Sequence, residues 1–458
     1  MVIVPLIVGC SQFMHQFSGA VITTALPQMA ASLGENPLRL NLAITCYLLA
    51  LAIFVPISGW MADRFGARRV FMSAILLFTA SSVICGFSSS LAELAMARTL
   101  QGIGGAMMVP VGRMIVFSSV PKDRLVRAMN YITIPGVLGP VLGPPVGGFI
   151  VTYFSWPWIF WLNLPIGLLG LALVAAFIPD IRAEKVGRLD LRGFVLLAVA
   201  IAGLVFGFEG LGRGLLPMTV MVSSIAIGSF CTILYLLHAQ RTKEPIVDFA
   251  LLRIRTFRAS IAGGALFYMS TTSTIFLFAL MLQIGYGMSA LLSGLVILAN
   301  AGGAVLQRIV FNPLLRIVSF RNLLVGNALL GGTTITVYAF FQESTPIGLM
   351  LPIMFIGGFS RAVQFTAVQS FGYAELPPDL VSRGTSFSAM IQQLTQSLGV
   401  GLVAVIVHMS QAAHGDETLT IADISPAYLA LGLLVFLSAF IFWRLPATAG
   451  MELRERRR

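Results

Sequence analysis

AMNYITIPGVLGPVLGPPVGGFIVTYFSWPWIFWLNLPIGLLGLALVAAFIP, residues 128–179, contains no Asp, Glu, Lys or Arg. A helix needs about 20 mostly apolar residues to cross a hydrocarbon core, so this stretch is long enough for two spans joined by a turn. Outward from it the pattern repeats. Residues 40–62, 70–92 and 259–307 are equally free of formal charge, and the first charged residue is Glu35. The chain of 458 residues is 57% hydrophobic and 10% charged, against roughly a quarter charged in a soluble domain. A signal peptide would be one short apolar segment before a polar chain, which is not the pattern here. Strands of a membrane β-barrel would alternate polar and apolar residues instead of running continuously apolar. The sequence therefore predicts an all-α polytopic membrane protein.

Hydropathy places spans at 2–27, 40–62, 70–90, 91–117, 128–152, 158–179, 193–210, 214–238, 258–283, 289–311, 322–342, 346–370, 384–410 and 424–443, which makes fourteen. The net charge of +11 could suggest nucleic acid, but its placement assigns it another role. Of 29 Lys and Arg, three (Arg98, Arg113 and Arg361) fall within or at the edges of spans. Only Arg39 and Arg213 fall in one set of alternate loops, which leaves 24 in the other set and the C-terminal tail. Under the positive-inside rule the basic loops, around 63–69, 122–127, 182–192, 241–258, 308–321 and 383, face the cytoplasm. An even span count puts both termini there, with the tail Arg454–Arg458 against anionic lipid. No nucleic-acid partner is implied, and the expected setting is a bacterial inner membrane. Met1 opens directly into the first apolar span. Either a short cytoplasmic segment precedes it, or the loop at 63–69 alone orients the first hairpin.

The longest cytoplasmic interruptions, 180–192 and 239–258, bracket two spans and leave six on either side. That spacing suggests two homologous bundles, 1–180 and 257–458, with an inserted pair in 181–256, as in transporters built from repeats around a midplane site. The chain's 45 Gly suit close helix approach in lipid. Cys10, Cys46, Cys85 and Cys231 all lie in predicted spans and read as small packing residues, without metal-like spacing.

Between spans 2 and 3 lies Gly59-Trp60-Met61-Ala62-Asp63-Arg64-Phe65-Gly66-Ala67-Arg68-Arg69. Glycine permits the tight turn, and a carboxylate at a helix end can pair with nearby cations. An ordinary basic turn would explain Arg68 and Arg69 but not Gly59, Asp63, Arg64 and Gly66 at these offsets. The pattern resembles the signature loop of the major facilitator superfamily, Gly-x-x-x-Asp-Arg-x-Gly-Arg-Arg. Three further stretches support the resemblance. Arg98-Thr99-Leu100-Gln101-Gly102 matches the family's Arg-x-x-Gln-Gly. The run from Gly139 through Gly143, Pro144, Gly147 and Gly148 looks like the antiporter motif Gly-x-x-x-Gly-Pro-x-x-Gly-Gly. Trp156-Pro157-Trp158 resembles a junction of the fourteen-helix drug:proton antiporter branch, with Pro157 where that branch usually has Arg, and Ala25-Leu26-Pro27 closes span 1 as the branch expects.

The resemblance implies an alternating-access exporter with the major facilitator fold, working as a monomer without a cofactor and driven by a proton gradient. Asp63, Arg64 and their neighbours would lock the cytoplasmic side in one state. The Gly/Pro run would let span 5 bend and press on a second-half helix; prolines remove backbone donors and glycines do not resist a kink. Arg98 is the expected interior charge, since an ionised group within a span is costly unless partnered or wet. Gln101 shares its face. A snorkelling Arg98 is the competing placement.

Here the sequence departs from the branch, which typically has an acid in span 1 where Ser18 stands. All 18 Asp and Glu fall in loops or at span ends, so no mid-membrane carboxylate is left to carry a proton. His15, three residues before Ser18, shares its face. Imidazole titrates nearest physiological pH, which makes His15 the expected substitute, tuned by Arg98. His408 is the weaker alternative, and a neutral hydrogen-bonded His15 is the competing reading. Phe267, Tyr268, Phe276, Gln364, Gln392 and Gln396 supply aromatic surface with sparse hydrogen-bonding groups, as expected of a cavity for bulky amphipathic molecules. Without a buried acid, neutral or anionic amphiphiles suit it better than cations, with Arg98 as the positive contact. The leading expectation is proton-coupled export of amphipathic drugs or metabolites. The alternatives are a proton-independent facilitator or exchanger, and a non-transporting receptor. No catalytic or metal-binding constellation supports an enzyme.

Overall fold

The computed structural model describes residues 3–35, 37–121, 124–179, 187–213, 217–242, 245–288, 290–414 and 420–446. The tail 447–458 and most of the linker at 180–186 lie outside them. The described residues form helices and turns and include no strand. In chain order the helices are α1 (Ile3–Leu33), α2 (Pro37–Phe54), α3 (Ser58–Phe65), α4 (Ala67–Phe87), α5 (Leu91–Ser119), α6 (Leu125–Tyr153), α7 (Trp158–Trp161), α8 (Asn163–Phe177), α9 (Leu191–Arg213) and α10 (Met218–Arg241). They continue with α11 (Arg255–Leu280), α12 (Ala290–Ile317), α13 (Phe320–Tyr338), α14 (Ile347–Gly372), α15 (Val381–His414) and α16 (Ile421–Trp443).

Each of the fourteen hydropathy stretches coincides with a helix or a jointed pair. A single 3-10 turn, Val55–Ile57, separates α2 from α3. Among the described residues eleven helices are long and apolar enough to cross a membrane, or twelve when the bent α6 is counted. The protein is thus a multi-pass, all-helical membrane protein. Helix α13 is not among the eleven: it carries Arg321, Asn322, Asn327 and three threonines.

Polar residues punctuate the apolar run where helix ends expose unpaired N–H groups. The Ser90 hydroxyl accepts from Glu93 N, and the Asp190 carboxylate accepts from Gly193 N. Thr420 and Asp423 form a reciprocal capping box on α16. Between α3 and α4 stands Gly66, with φ +93°, a backbone conformation that a residue with a Cβ rarely adopts.

The first six long helices and the last six pair in the same way. Counting α1, α2–α3, α4, α5, α6 and α8 as one set, the first packs on the fifth, the second on the fourth, the third on the sixth and the third on the fourth. In α11–α16 the same four pairings recur as α11·α15, α12·α14, α13·α16 and α13·α14. Between the sets, α6 meets α12 and α14, while α15 meets α2, α3 and α5. Helices α9 and α10 pack on each other, and α9 also lies against α15 and α2.

The glycines at 139 and 143 make the α1–α6 seam close. A Cβ on Gly139 would stand 2.8 Å from Gln16 Cβ, and one on Gly143 2.7 Å from Ala20 Cβ. Gly139 and Gly143 therefore face α1 of their own set, while Pro145 of the same run approaches α12, 3.7 Å from a Cβ built on Gly294, so the run also meets a second-half helix. The expected bend is present, 46° between Arg127–Pro140 and Pro145–Tyr153. Gly147 is buried, a Cβ at Gly148 would meet nothing within 4 Å, and the side chain of Pro144 lies outside the described ones.

Candidate functional site

At the end of the molecule carrying the basic loop 63–69, here termed the basic end, α3 and α15 are in direct contact. The Ser382 hydroxyl donates to the Asp63 carboxylate, and Ser58 Oγ and Ser386 Oγ are 3.0 Å apart. Gly59 permits this: a Cβ there would lie 2.7 Å from the Ser382 carbonyl oxygen and 2.6 Å from Ser386 Oγ. Of the motif's cations, Arg64 and Arg69 are exposed, and Arg68 donates to the Ala175 carbonyl. Trp60 Nε1 donates to the Gly187 carbonyl at 3.0 Å, and Arg383 pairs with Asp248 at 3.4 Å. The gate motif and α15 are thereby each fastened to a linker of the α9–α10 pair.

Further along the interface the two sets are joined by buried polar pairs. Gln307 Nε2 donates to Asn130 Oδ1 at 2.8 Å, and the Thr366 and Thr133 hydroxyls are 3.3 Å apart. Arg113, which the sequence reading left without a role, reaches from α5 to Gln392 Oε1 on α15 at 3.1 Å. Its Nη1 has no partner among the described residues. The rings of Phe117 and Tyr373 meet at a tilt of 32° beside it, 4.0 Å between centroids. The sets are closed against each other at this end.

A cleft of about 380 Å³ lies between α1, α2, α5 and α15. His15, Gln12 and Gln16 line one side, and Gln392, Gln393 and Gln396 the other. None of its lining residues is an acid. His15 Nδ1 is 2.5 Å from the Tyr47 hydroxyl, and the Tyr47 ring lies under the Arg98 guanidinium at 4.2 Å. A polar chain thus leads from the cleft through His15 and Tyr47 to Arg98. His408, the weaker alternative, is not among the cleft's lining residues.

Arg98 itself is completely buried within the first set. Its Nη1 donates to Gln101 Oε1 at 2.6 Å and to Ser18 Oγ at 3.4 Å, and Nε reaches the Ala43 carbonyl at 3.5 Å. Phe160 from the tryptophan-rich junction covers its far side at 5.9 Å. Arg98 does not snorkel. Nor does it open onto the cleft: Arg98, Gln101 and Ser18 form an enclosed cluster behind Tyr47. The helices are apolar on all sides, so the sequence period could not tell which face each residue presents.

The remaining cavity candidates separate. Gln392 and Gln396 line the cleft. Phe267 and Gln364 line a second cavity of about 420 Å³ inside the set α11–α16. Tyr268 is buried between them, its hydroxyl accepting from Gln369 Nε2 at 2.9 Å, while Phe276 packs into apolar surface around Leu277 and Phe278. Tyr47 and Arg113 were missed. Arg113 carried a usable signal, a charge within an apolar stretch, but its nearness to the span end made it read as a boundary.

Residues 8–400 match the family model described as the Major Facilitator Superfamily. Multidrug resistance protein MdtD of Escherichia coli O139:H28 is 36% identical over 446 residues, covering 96% of this chain and 94% of that protein. MdtD of Shigella boydii serotype 18 is 37% identical over 447 residues, with the same coverage. Among solved structures, the human organic anion transporter MFSD10 superposes with a TM-score of 0.67 at 15% identity, covering 96% of this chain and 98% of its own. The proton:xylose symporter XylE gives 0.68 at 15% identity, covering 98% and 96%.

Proposed function

The chain belongs to the major facilitator superfamily and is a membrane transporter, not an enzyme; from that premise we propose that it exports amphipathic drugs or metabolites across a bacterial inner membrane by proton-coupled alternating access. In this reading all fourteen hydropathy stretches span the bilayer, and both termini and the basic end face the cytoplasm. Residues 1–180 and 257–458 form two six-helix bundles around the inserted pair in 181–256. The repeated helix pairing of the two sets supports that division. The protein works as a monomer, and its only energy source is the proton gradient. The relatives named as multidrug resistance proteins support the substrate class.

The observation that carries the coupling is the cleft between the sets, with His15 as its titratable wall residue bonded to Tyr47. A proton taken up by His15 raises the positive charge behind the cleft, where Arg98 already sits. The Asp63–Ser382 and Ser58–Ser386 contacts hold the cytoplasmic side shut. Alternation requires them to part. Five glutamines offer donors and acceptors without charge preference, which favours neutral or anionic substrates.

Drug-susceptibility profiling in an efflux-deficient host identifies a substrate, and proteoliposomes then test the coupling. With an imposed pH gradient the wild type accumulates substrate, whereas His15→Ala retains counterflow but loses the response to the gradient. Full gradient-driven accumulation by His15→Ala would remove His15 from the mechanism. The absence of any carboxylate along the cleft favours a second reading, proton-independent exchange. It predicts that the wild type itself ignores the gradient.

A further inference from the structure

Arg361 lies near the middle of α14, the fourth helix of its set, and faces the 420 Å³ cavity formed by α11, α12, α13, α14 and α16. The cavity takes no lining residue from the first set and is separate from the cleft between the sets. The one hydrogen bond of Arg361 among the described residues is from Nη2 to Asn300 Oδ1, at 2.6 Å. A guanidinium has five N–H donors, so most remain to be satisfied. No Asp or Glu lines the cavity. A charge within the membrane is functional by default when no internal partner neutralises it.

The other polar walls are already engaged. Asn327 Nδ2 donates to the Ser360 carbonyl at 2.8 Å and to Gln364 Oε1 at 2.9 Å. The hydroxyls of Ser270, Thr271 and Thr274 donate back to carbonyls of their own helix. What faces the cavity is therefore one cation, hydroxyl oxygens already committed as donors, and the apolar surfaces of Phe267, Ile335 and Val435. We propose that this cavity is an anion site, in which Arg361 receives the carboxylate of a small organic monoanion whose apolar body lies against Phe267, Ile335 and Val435. The paired N–H groups of a guanidinium match the two oxygens of a carboxylate. The assignment stands independently of proton coupling at His15. An inorganic anion such as chloride shares the charge but not the apolar body.

The test uses the full-length protein in detergent micelles, with benzoate as the probe and ligand-observed NMR as the readout. Wild type binds benzoate saturably and does not bind the uncharged isostere benzamide. Arg361→Gln weakens benzoate binding about ten- to a hundredfold, the usual loss for a hydrogen bond to a charged group. Thr271→Phe fills the cavity without removing the cation and also abolishes binding; it decides the matter if Arg361→Gln does not purify as a monodisperse protein. Displacement of benzoate by chloride in an Arg361-dependent manner would keep the anion site and assign it to the inorganic ion. Undiminished benzoate binding in Arg361→Gln or in Thr271→Phe overturns the proposal. Loss of binding on Arg113→Gln with Arg361→Gln unaffected also overturns it, because the anion would then sit between the sets.

Discussion

Arg98 and Arg361 occupy the fourth helix of their respective sets, yet their surroundings are opposite. Arg98 is dry and enclosed, with Tyr47 against one face, Phe160 over the other, and Gln101, Ser18 and the Ala43 carbonyl around its edge. Arg361 has one amide partner and a cavity in front of it. Position in a repeated topology therefore does not decide what a buried cation does. The difference is access: Arg98 is walled in between two rings even though its Nη2 has no partner among the described residues, whereas Arg361 opens onto a cavity. The enclosed charge becomes part of the packing, and the accessible one is left to a ligand.

Four substitutions would break or sharpen that contrast. Arg98→Leu should have the largest effect: it strands Gln101 Oε1 behind two aromatic rings and removes the bonds to Ser18 and the Ala43 carbonyl, at a cost of about 1–3 kcal/mol for a buried group left unpaired. Folded protein recovered in detergent, and its thermal midpoint, report the loss; a midpoint equal to wild type would mean that Arg98 is not structural. Asn300→Asp places a carboxylate beside Arg361 and makes the second site resemble the first. It should leave the midpoint within about 1 kcal/mol of wild type, because the ion pair gained is offset by loss of the Asn300 Nδ2 bond to the Met354 carbonyl, and abolish benzoate binding. Tyr47→Phe keeps the ring under Arg98 but removes the hydroxyl from His15, so about 1 kcal/mol should be lost. The same variant should shift the pH dependence of gradient-driven transport. Arg361→Gln should change the midpoint least, because it removes a cation that the fold barely compensates. A collapse comparable to that of Arg98→Leu would erase the distinction.

How much of this could be read from the sequence follows the same division. Local rules located every long helix, because a charge-free run of adequate length leaves the backbone no other way to satisfy its hydrogen bonds in lipid. The Gly59–Arg69 loop announced a close turn, and Gly66 and Gly59 have the positive φ and the tight contact that only glycine allows. His15, Gln392 and Gln396 do meet in one cleft, from residues 377 and more positions apart. Their convergence was expected only through the family resemblance. Helix rotation was beyond reach. In a helix apolar all round, neither Arg98 nor Gln364 signals whether it faces the cleft, its own set or lipid. Arg98 therefore seemed a substrate contact, Phe267 and Gln364 were assigned to the wrong side of their helices for the cleft, and Tyr47 went unnoticed among apolar neighbours.

The two fastenings of the inserted pair, Trp60 to Gly187 and Arg383 to Asp248, have a mechanical consequence. One anchors the pair to α3 and the other to α15, the two helices that part in the alternating-access cycle proposed above. Helix α10 is largely exposed, with only 17% of its apolar window buried. Opening then displaces a lipid-facing hairpin as well as a gate, and acyl chains have to rearrange around it. Bilayer thickness and stiffness enter the turnover rate as a load, since each ångström of mismatch costs a fraction of a kcal/mol. In the proposed cycle the surrounding lipid thus acts as a brake, set by membrane composition independently of the substrate.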